Sequence, residues 1–160
     1  MKYVLIRGAK DSGKSTTADS VSKQFKKTSV RSLLKGLDGE LYLSEEDINK
    51  QIENGTYLIE TANQILLFVA GAPTEQKITI TVLITFLVSL NINISFALIM
   101  MRSHERLNDF DTRQELDELG FECIFEEHIY RINNDAFKET ELWNNRISKI
   151  TETIKTNYAL

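Results

Sequence analysis

The segment that most constrains the fold of this chain is the pattern G-x-x-x-x-G-K-S over residues 8–15. An apolar run over residues 3–6 precedes it, as expected for a strand buried on both faces. Apolar residues then recur at three- and four-residue spacing, which is typical of an amphipathic helix. Its predicted apolar face consists of Ala18, Val21 and Phe25. The sequence therefore predicts a strand, a tight glycine-containing loop and a helix.

The two glycines of this loop allow the backbone to wrap closely around an anion. Gly8 and Gly13 tolerate backbone angles that other residues resist. Successive amides over residues 10–15 are then expected to point inward and to form an anion-binding nest at a helix N-terminus. This combination predicts a phosphate-binding site.

The residues that end the loop have the chemistry of a nucleotide site. Lys14 is placed to reach the β- and γ-phosphates as a point charge. The Ser15 hydroxyl is placed to coordinate Mg²⁺. Thr16, one step further along, is expected near the α-phosphate, whereas Lys10 and Asp11 occupy loop positions to which no specific role is assigned.

On these residues the chain resembles the P-loop NTPase superfamily. The form Ser12-Gly13-Lys14-Ser15-Thr16 is similar to the loop of small nucleotide and metabolite kinases and of some ATPases. The resemblance covers residues 1–27 and implies Mg²⁺ with ATP or GTP. It also implies a three-layer α/β/α sandwich around a mostly parallel sheet, with at most one antiparallel hairpin. The candidate nucleotide-binding residues are Gly8, Lys10, Asp11, Ser12, Gly13, Lys14, Ser15 and Thr16, with Ser15 as the metal ligand.

Composition limits the class of protein further. The 160 residues are enough for one domain with a proper core. The net charge of −4 argues against nucleic acid as the main ligand. Cys123 is the only cysteine, so no intramolecular disulfide can form, and its apolar surroundings predict a buried, inert thiol. No targeting segment is visible, and we expect a cytoplasmic protein.

Residues 78–101 contain no charged side chain, which raises the question of a membrane span. Polar threonines, asparagines and serines are scattered through this stretch, and Asn91 to Asn93 marks a break. We therefore expect a buried helix over residues 76–90 and a core strand over 94–101, with no membrane contact.

The remaining segments predict alternating strands and helices. Ser44, followed by three acidic residues, predicts a helix that ends near Asn54. Two β-prone runs, 56–60 and 64–70, predict a hairpin. Within residues 29–43, a strand starting at Val30, a turn at Asp38-Gly39 and a further extended piece over 41–43 are open possibilities. Further predicted elements are a helix over 111–119, a strand over 121–125 and a helix over 135–156. The apolar face of this last helix is predicted to consist of Phe137, Trp143, Ile147, Ile150 and Ile154.

The acidic residue that normally supports Mg²⁺ in this superfamily has no obvious counterpart. The two best core strands end in Ala70-Gly71-Ala72 and in Met100-Met101-Arg102, without Asp or Glu. The candidates near predicted strand ends are Asp38, Glu60 and Glu75, each of which also suits a surface carboxylate.

Two arginines follow the strand predicted over 94–101. Arg102 is the candidate to contact a transferred phosphoryl group, and with Lys14 it forms the predicted catalytic pair. Arg106 and His104 lie in the polar segment 103–111, which is predicted to act as a lid. A solvated side chain is the alternative for both arginines.

These observations predict Mg-dependent nucleoside triphosphate binding by a phosphotransferase with an unidentified small-molecule acceptor, or by an ATPase. Neither a guanine-reading motif nor a transporter-type ATPase signature is present. The missing strand-end carboxylate favours an alternative, a regulatory nucleotide-binding module with little or no turnover. An accessory role with nucleic acid is a third, weaker hypothesis.

Overall fold

Parallel and antiparallel strand pairings meet in a single sheet. The computed structural model describes residues 1–158. The strands are β1 (Lys2–Gly8), β2 (Ser29–Lys35), β3 (Leu41–Glu46), β4 (Thr56–Glu60), β5 (Ile65–Val69), β6 (Phe96–Arg102) and β7 (Glu122–His128). They form a seven-stranded sheet in the order β3-β2-β4-β5-β6-β1-β7.

Helices cover both faces of this sheet. They are α1 (Lys14–Ser22), α2 (Pro73–Gln76), α3 (Ile80–Ser89), α4 (Thr112–Glu118) and α5 (Glu141–Tyr158), with a 3-10 turn over Phe137–Glu139. The apolar sides of α1 and α5 pack on one face of the sheet. Those of α3 and α4 pack on the other. The predicted apolar face of α1 is confirmed as buried, as are Trp143, Ile147, Ile150 and Ile154 of α5. Phe137, predicted to belong to the same helix, instead lies in the 3-10 turn before α5 and is half-buried.

The expected fold, a mostly parallel sheet of P-loop NTPase type, is wrong. β5, β6, β1 and β7 run parallel, but β2 pairs antiparallel with both β3 and β4, and β4 pairs antiparallel with β5. Parallel neighbours need a crossover of about a dozen residues or more. The turns over residues 36–40 and 61–64 are too short for a crossover, so the chain reverses at each. The hairpin predicted over 56–70 is present, and the extended pieces and turn expected within 29–43 form the hairpin of β2 and β3.

The helix predicted from Ser44 to Asn54 is also wrong. Ser44 lies in β3, where it pairs with Ser32 of β2. The Ser32 hydroxyl donates a hydrogen bond of 2.7 Å to the Glu46 carboxylate. The acidic run thus finds polar partners across a hairpin instead of capping a helix. The following coil is attached to α1, because the Ile52 amide donates to the buried Asp19 carboxylate at 2.9 Å.

The uncharged stretch forms α3 and β6, close to the predicted helix and strand. The Thr79 side chain caps α3 by accepting a hydrogen bond from the Val82 amide at 3.2 Å. Residues 96–101 of β6 are all buried. Across residues 1–158, the structure contains no helix whose length and apolar character would allow it to cross a membrane.

The edge position of β7 corrects one further expectation. β7 pairs only with β1 in the described chain, so it forms an edge of the sheet. Cys123, expected to be buried, is exposed there.

Candidate functional site

The loop between β1 and α1 is tightly wound, and each of its two glycines is required for a different physical reason. Gly13 has φ +93°, in the left-handed region that favours glycine. Gly8 is required by close approach, since a Cβ there would lie 2.3 Å from the Ser12 Oγ. Asp11 also adopts a left-handed conformation, with φ +61°. The predicted compact loop is therefore present, and its close packing leaves no room for a side chain at Gly8.

Lys14 spans the inside of this loop. Its side chain is only 6% exposed, and its Nζ donates hydrogen bonds to Gly8 O at 3.1 Å and Ala9 O at 2.8 Å. Burial lowers the pKa of Lys14, and the nearby Arg102 lowers it further, while Glu75 and Asp11 act in the opposite direction. The result is a buried cation that would be stabilised by additional negative charge.

Donors without protein partners surround this cation. Within residues 1–158, the backbone amides of residues 13–16 have no hydrogen-bond acceptor, as is usual for the first turn of a helix. The hydroxyls of Ser15 and Thr16 are also without partners in the described chain. The positive end of the α1 dipole adds to the attraction for an anion. This arrangement can bind phosphate groups.

The loop opens into a cavity of about 1170 Å³, called here the main cavity. One wall is the loop and the start of α1, from Lys10 to Thr16. The opposite walls come from the ends of β5 and β6, from the segment after β7, and from α5. They include Asn54, Ala70, Glu75, Arg102, Arg131, Ile132, Phe137, Trp143 and Arg146.

Of the candidate acidic residues, the structure brings only Glu75 to the loop. Its carboxylate accepts a hydrogen bond from Arg102 Nε at 2.5 Å and lies 3.9 Å from Lys14 Nζ. Glu60 is paired with Ile65 at the start of β5. This is the end of the parallel strands opposite the loop, which follows the end of β1. Glu60 also forms an ion pair of 2.6 Å with Arg31.

Asp38 lies in the turn between β2 and β3, where it accepts a hydrogen bond from the Glu40 amide. β2 is separated from β1 by three intervening strands. Four strand spacings of about 4.8 Å amount to about 19 Å, which excludes Asp38 from contact with the loop.

Arg146 is a site residue that the sequence reasoning missed. Its guanidinium donates to Tyr130 O at 2.8 Å and to Thr17 Oγ1 at 3.3 Å, and it lies over the Trp143 ring. It is so close to the loop that a Cβ on Gly13 would be 3.4 Å from its Nη1. Burial lowers the pKa of Arg146, opposed by Glu127. No local pattern could reveal a contact between residues 129 positions apart.

The segment predicted as a lid carries different neighbours. Residues 103–111 contain no helix or strand. Ser103 Oγ and His128 Nε2 are 2.7 Å apart, and His128 Nδ1 is 2.9 Å from the Tyr130 hydroxyl. His104 and Arg106 do not line the main cavity.

The donor set near the loop fits a magnesium ion that is bound partly by phosphates. The described residues contain no cluster of three or more His, Cys, Asp or Glu side chains suited to a metal. Mg²⁺ usually keeps several waters and takes few protein ligands beside substrate phosphates. The unpaired Ser15 hydroxyl and the Glu75 carboxylate satisfy that need.

No protein-family model, curated protein or solved structure matches this chain. The resemblance of the loop to that of P-loop NTPases therefore stays a prediction. The function has to be argued from the site itself.

Proposed function

We propose that this protein binds a Mg²⁺-complexed nucleoside triphosphate, ATP or GTP, in the main cavity and transfers its terminal phosphoryl group to a small molecule. The observation that carries the proposal is the buried Lys14 ammonium inside a glycine-containing loop at the start of α1. A buried cation, free amides and a helix N-terminus together are suited to a phosphate chain.

Each group around the loop has a role in this proposal. Lys14 and the amides of residues 13–16 bind the β- and γ-phosphates, and Ser15 ligates Mg²⁺. Glu75, next to Lys14, supports the ion through its water shell. Arg102, bonded to Glu75, stabilises the charge on the transferred group. When bound, Mg²⁺ would neutralise charge on the phosphates during transfer.

The far side of the main cavity suits the nucleoside. Ile132 and Phe137 are half-buried there and offer an apolar surface to a base. Arg146 adds a cation beside Gly13. Ligand pockets commonly measure about 300–1,000 Å³, so the main cavity can contain a whole nucleotide. The proposal includes a cytoplasmic location, since a single cysteine is compatible with a reducing compartment.

A second candidate function is a regulatory nucleotide-binding module with little or no turnover. One observation favours it: the Glu75 carboxylate already pairs with Arg102 at 2.5 Å, which occupies a group needed for metal support. In this function the same loop binds nucleotide, but the γ-phosphate stays in place.

Calorimetric titration with Mg-ATP and Mg-GTP tests nucleotide binding. Phosphate release and phosphoryl transfer to a panel of metabolites are then measured to test turnover. Glu75→Gln should lower turnover by about 10–100-fold, the usual effect of removing a carboxylate that supports a metal. Glu60→Gln is the matched control, because Glu60 lies at the end of the strands opposite the loop. This variant should leave turnover unchanged.

The outcomes separate the two functions. Absence of nucleotide binding by the wild-type protein would refute both. Tight binding without release or transfer would favour the regulatory module. Equal losses in the Glu75 and Glu60 variants would contradict the role given to Glu75.

A further inference from the structure

A second cavity, called here the side cavity, adjoins the main one and has a volume of about 600 Å³. It lies between the start of the loop, the α2 region and the segment after β6. Lys10, Glu75 and Arg102 line both cavities, so the two adjoin at these side chains. Lys77, His104 and Arg106 line the side cavity alone.

The side cavity is strongly basic, although the chain as a whole has a net charge of −4. Its charged lining consists of four cations and one carboxylate: Lys10, Lys77, Arg102, Arg106 and Glu75. Within residues 1–158, Lys10, Lys77 and Arg106 form no salt bridge. These three cations are therefore not neutralised by carboxylates of the described chain, whereas Arg102 is paired with Glu75, and the cavity favours an anion.

Arg102 is oriented to serve both cavities. It donates to Glu75 through Nε, and its two terminal nitrogens have no hydrogen-bond partner in the described chain. The planar guanidinium can therefore bind a second oxyanion with those nitrogens while Nε remains on Glu75.

We propose that the side cavity binds the phosphoryl acceptor, and that this acceptor is a small dianion such as a phosphate monoester or a dicarboxylate. The inference rests on the proposed function and adds the acceptor's chemical class and location. Lys77 and Arg106 hold the anionic group, and Arg102 lies between the acceptor and the nucleotide. A monoanion would leave most of the positive lining uncompensated.

An anionic acceptor balances the bond changes of transfer. The bond between the γ-phosphorus and the β–γ bridging oxygen breaks, and a bond forms from the phosphorus to an acceptor oxygen. The nucleoside diphosphate leaves from the main cavity. If a phosphate or carboxylate oxygen attacks, no proton has to be removed, so the step needs no general base.

Calorimetry with inorganic phosphate and with malonate, on protein saturated with a Mg-bound non-hydrolysable ATP analogue, tests the inference. Saturation blocks the loop, so remaining anion binding that depends on Lys77 and Arg106 reports the side cavity. The Lys77→Glu/Arg106→Glu variant should weaken binding of the preferred anion by about tenfold or more, while analogue affinity stays within about twofold. Preference for phosphate or for malonate distinguishes the two acceptor types.

Lys26→Glu/Lys35→Glu is the matched control, because it changes the net charge equally at exposed positions outside both cavities. Equal weakening in this control would overturn the inference, since it would indicate a general charge effect. Analogue binding with no binding of either anion would also overturn it and leave the proposed function standing.

Failure of the analogue to bind wild-type protein would refute the proposed function instead. The side cavity is then tested alone by titrating phosphate and malonate into the Lys14→Ala variant. Binding that depends on Lys77 and Arg106 would support an anion site, and absence of binding would overturn it.

Discussion

Replacing Lys14 by methionine removes one charge from the main cavity and keeps an unbranched side chain of similar length. The substitution breaks the hydrogen bonds from Nζ to Gly8 O and Ala9 O. Hydrogen bonds from charged donors contribute about 1.5–3 kcal/mol to stability. Burial lowers the pKa of Lys14, because the charged form is less stable in the protein interior than in water. These effects oppose each other, and we expect the free energy of unfolding to change by only about 1 kcal/mol.

The effect on nucleotide binding is larger. Two unit charges about 4 Å apart attract by about 4 kcal/mol at an effective dielectric constant near 20. Part of this gain is offset, because Lys14 must leave two carbonyl oxygens and approach the phosphates instead. If half remains, the loss is about 2 kcal/mol, which corresponds to about 30-fold in Kd.

Isothermal titration calorimetry with Mg-ATP measures this effect directly. Lys23→Met is the control, since Lys23 lies at the other end of α1, is 57% exposed and carries the same charge. The Lys14 variant should bind about 30-fold more weakly and the Lys23 variant as tightly as wild type. A Lys14 variant that is folded and binds within about threefold of wild type would refute the reasoning.

Further substitutions test the loop, its neighbour Arg146 and the buried Tyr3 near the start of β1. Gly8→Ala should cost about 1–3 kcal/mol of unfolding free energy by overpacking against Ser12, and Ser12→Gly should restore part of it in a chemical denaturation series. Arg146→Lys keeps the charge but should weaken Mg-ATP binding in calorimetry, because an ammonium cannot reproduce the guanidinium fork that contacts Thr17 and Tyr130. Equal affinity would contradict a role for Arg146 in nucleotide binding. Burial raises the pKa of Tyr3 to about 12, so the unfolded chain ionises first. The contribution of Tyr3 to the free energy of unfolding is present below about pH 10 and is lost as the pH rises toward 12. Tyr3→Phe should reduce this dependence of the free energy of unfolding on pH, measured by chemical denaturation at several pH values.

The part of the fold that the sequence could predict depends on local patterns. The strand, loop and helix over residues 2–22 follow from an apolar run, two glycines and helical spacing, and all lie within one short stretch. The buried face of α5 follows from the same periodicity. The uncharged stretch divides into α3 and β6 because its polar residues interrupt it as expected.

The antiparallel half of the sheet could be predicted only in part, since the hairpin over 56–70 was expected but the full length of β3 was not. Ser44 and the acidic residues after it have the composition of a helix start, and only pairing with β2 makes them a strand. Strand pairing depends on partners distant in sequence, and local propensity yields to it. The composition of residues 44–46 therefore gave the wrong secondary structure for the second half of β3.

The site divides in the same way. The candidates from Gly8 to Thr16 are neighbours in sequence, and the loop brings them together without further information. The choice of Glu75 over Asp38 and Glu60 requires the strand order, which places one carboxylate beside Lys14. Arg146 could not be predicted, because it reaches the loop only through the packing of α5 against α1.

Glu75 connects the two cavities, and its partners decide between transfer and simple binding. Its carboxylate pairs with Arg102 and lies near Lys14, so under the proposed function a triphosphate would compete with it for the same two cations. Under the proposed function, bound phosphates would weaken that attraction, which would free the carboxylate to support Mg²⁺ and free Arg102 for the transferred group. Removing the charge with Glu75→Gln should therefore leave Mg-ATP affinity equal or stronger even though turnover falls. A binding-only module would show the gain in affinity with no turnover to lose, so measuring both quantities on one variant separates the two functions.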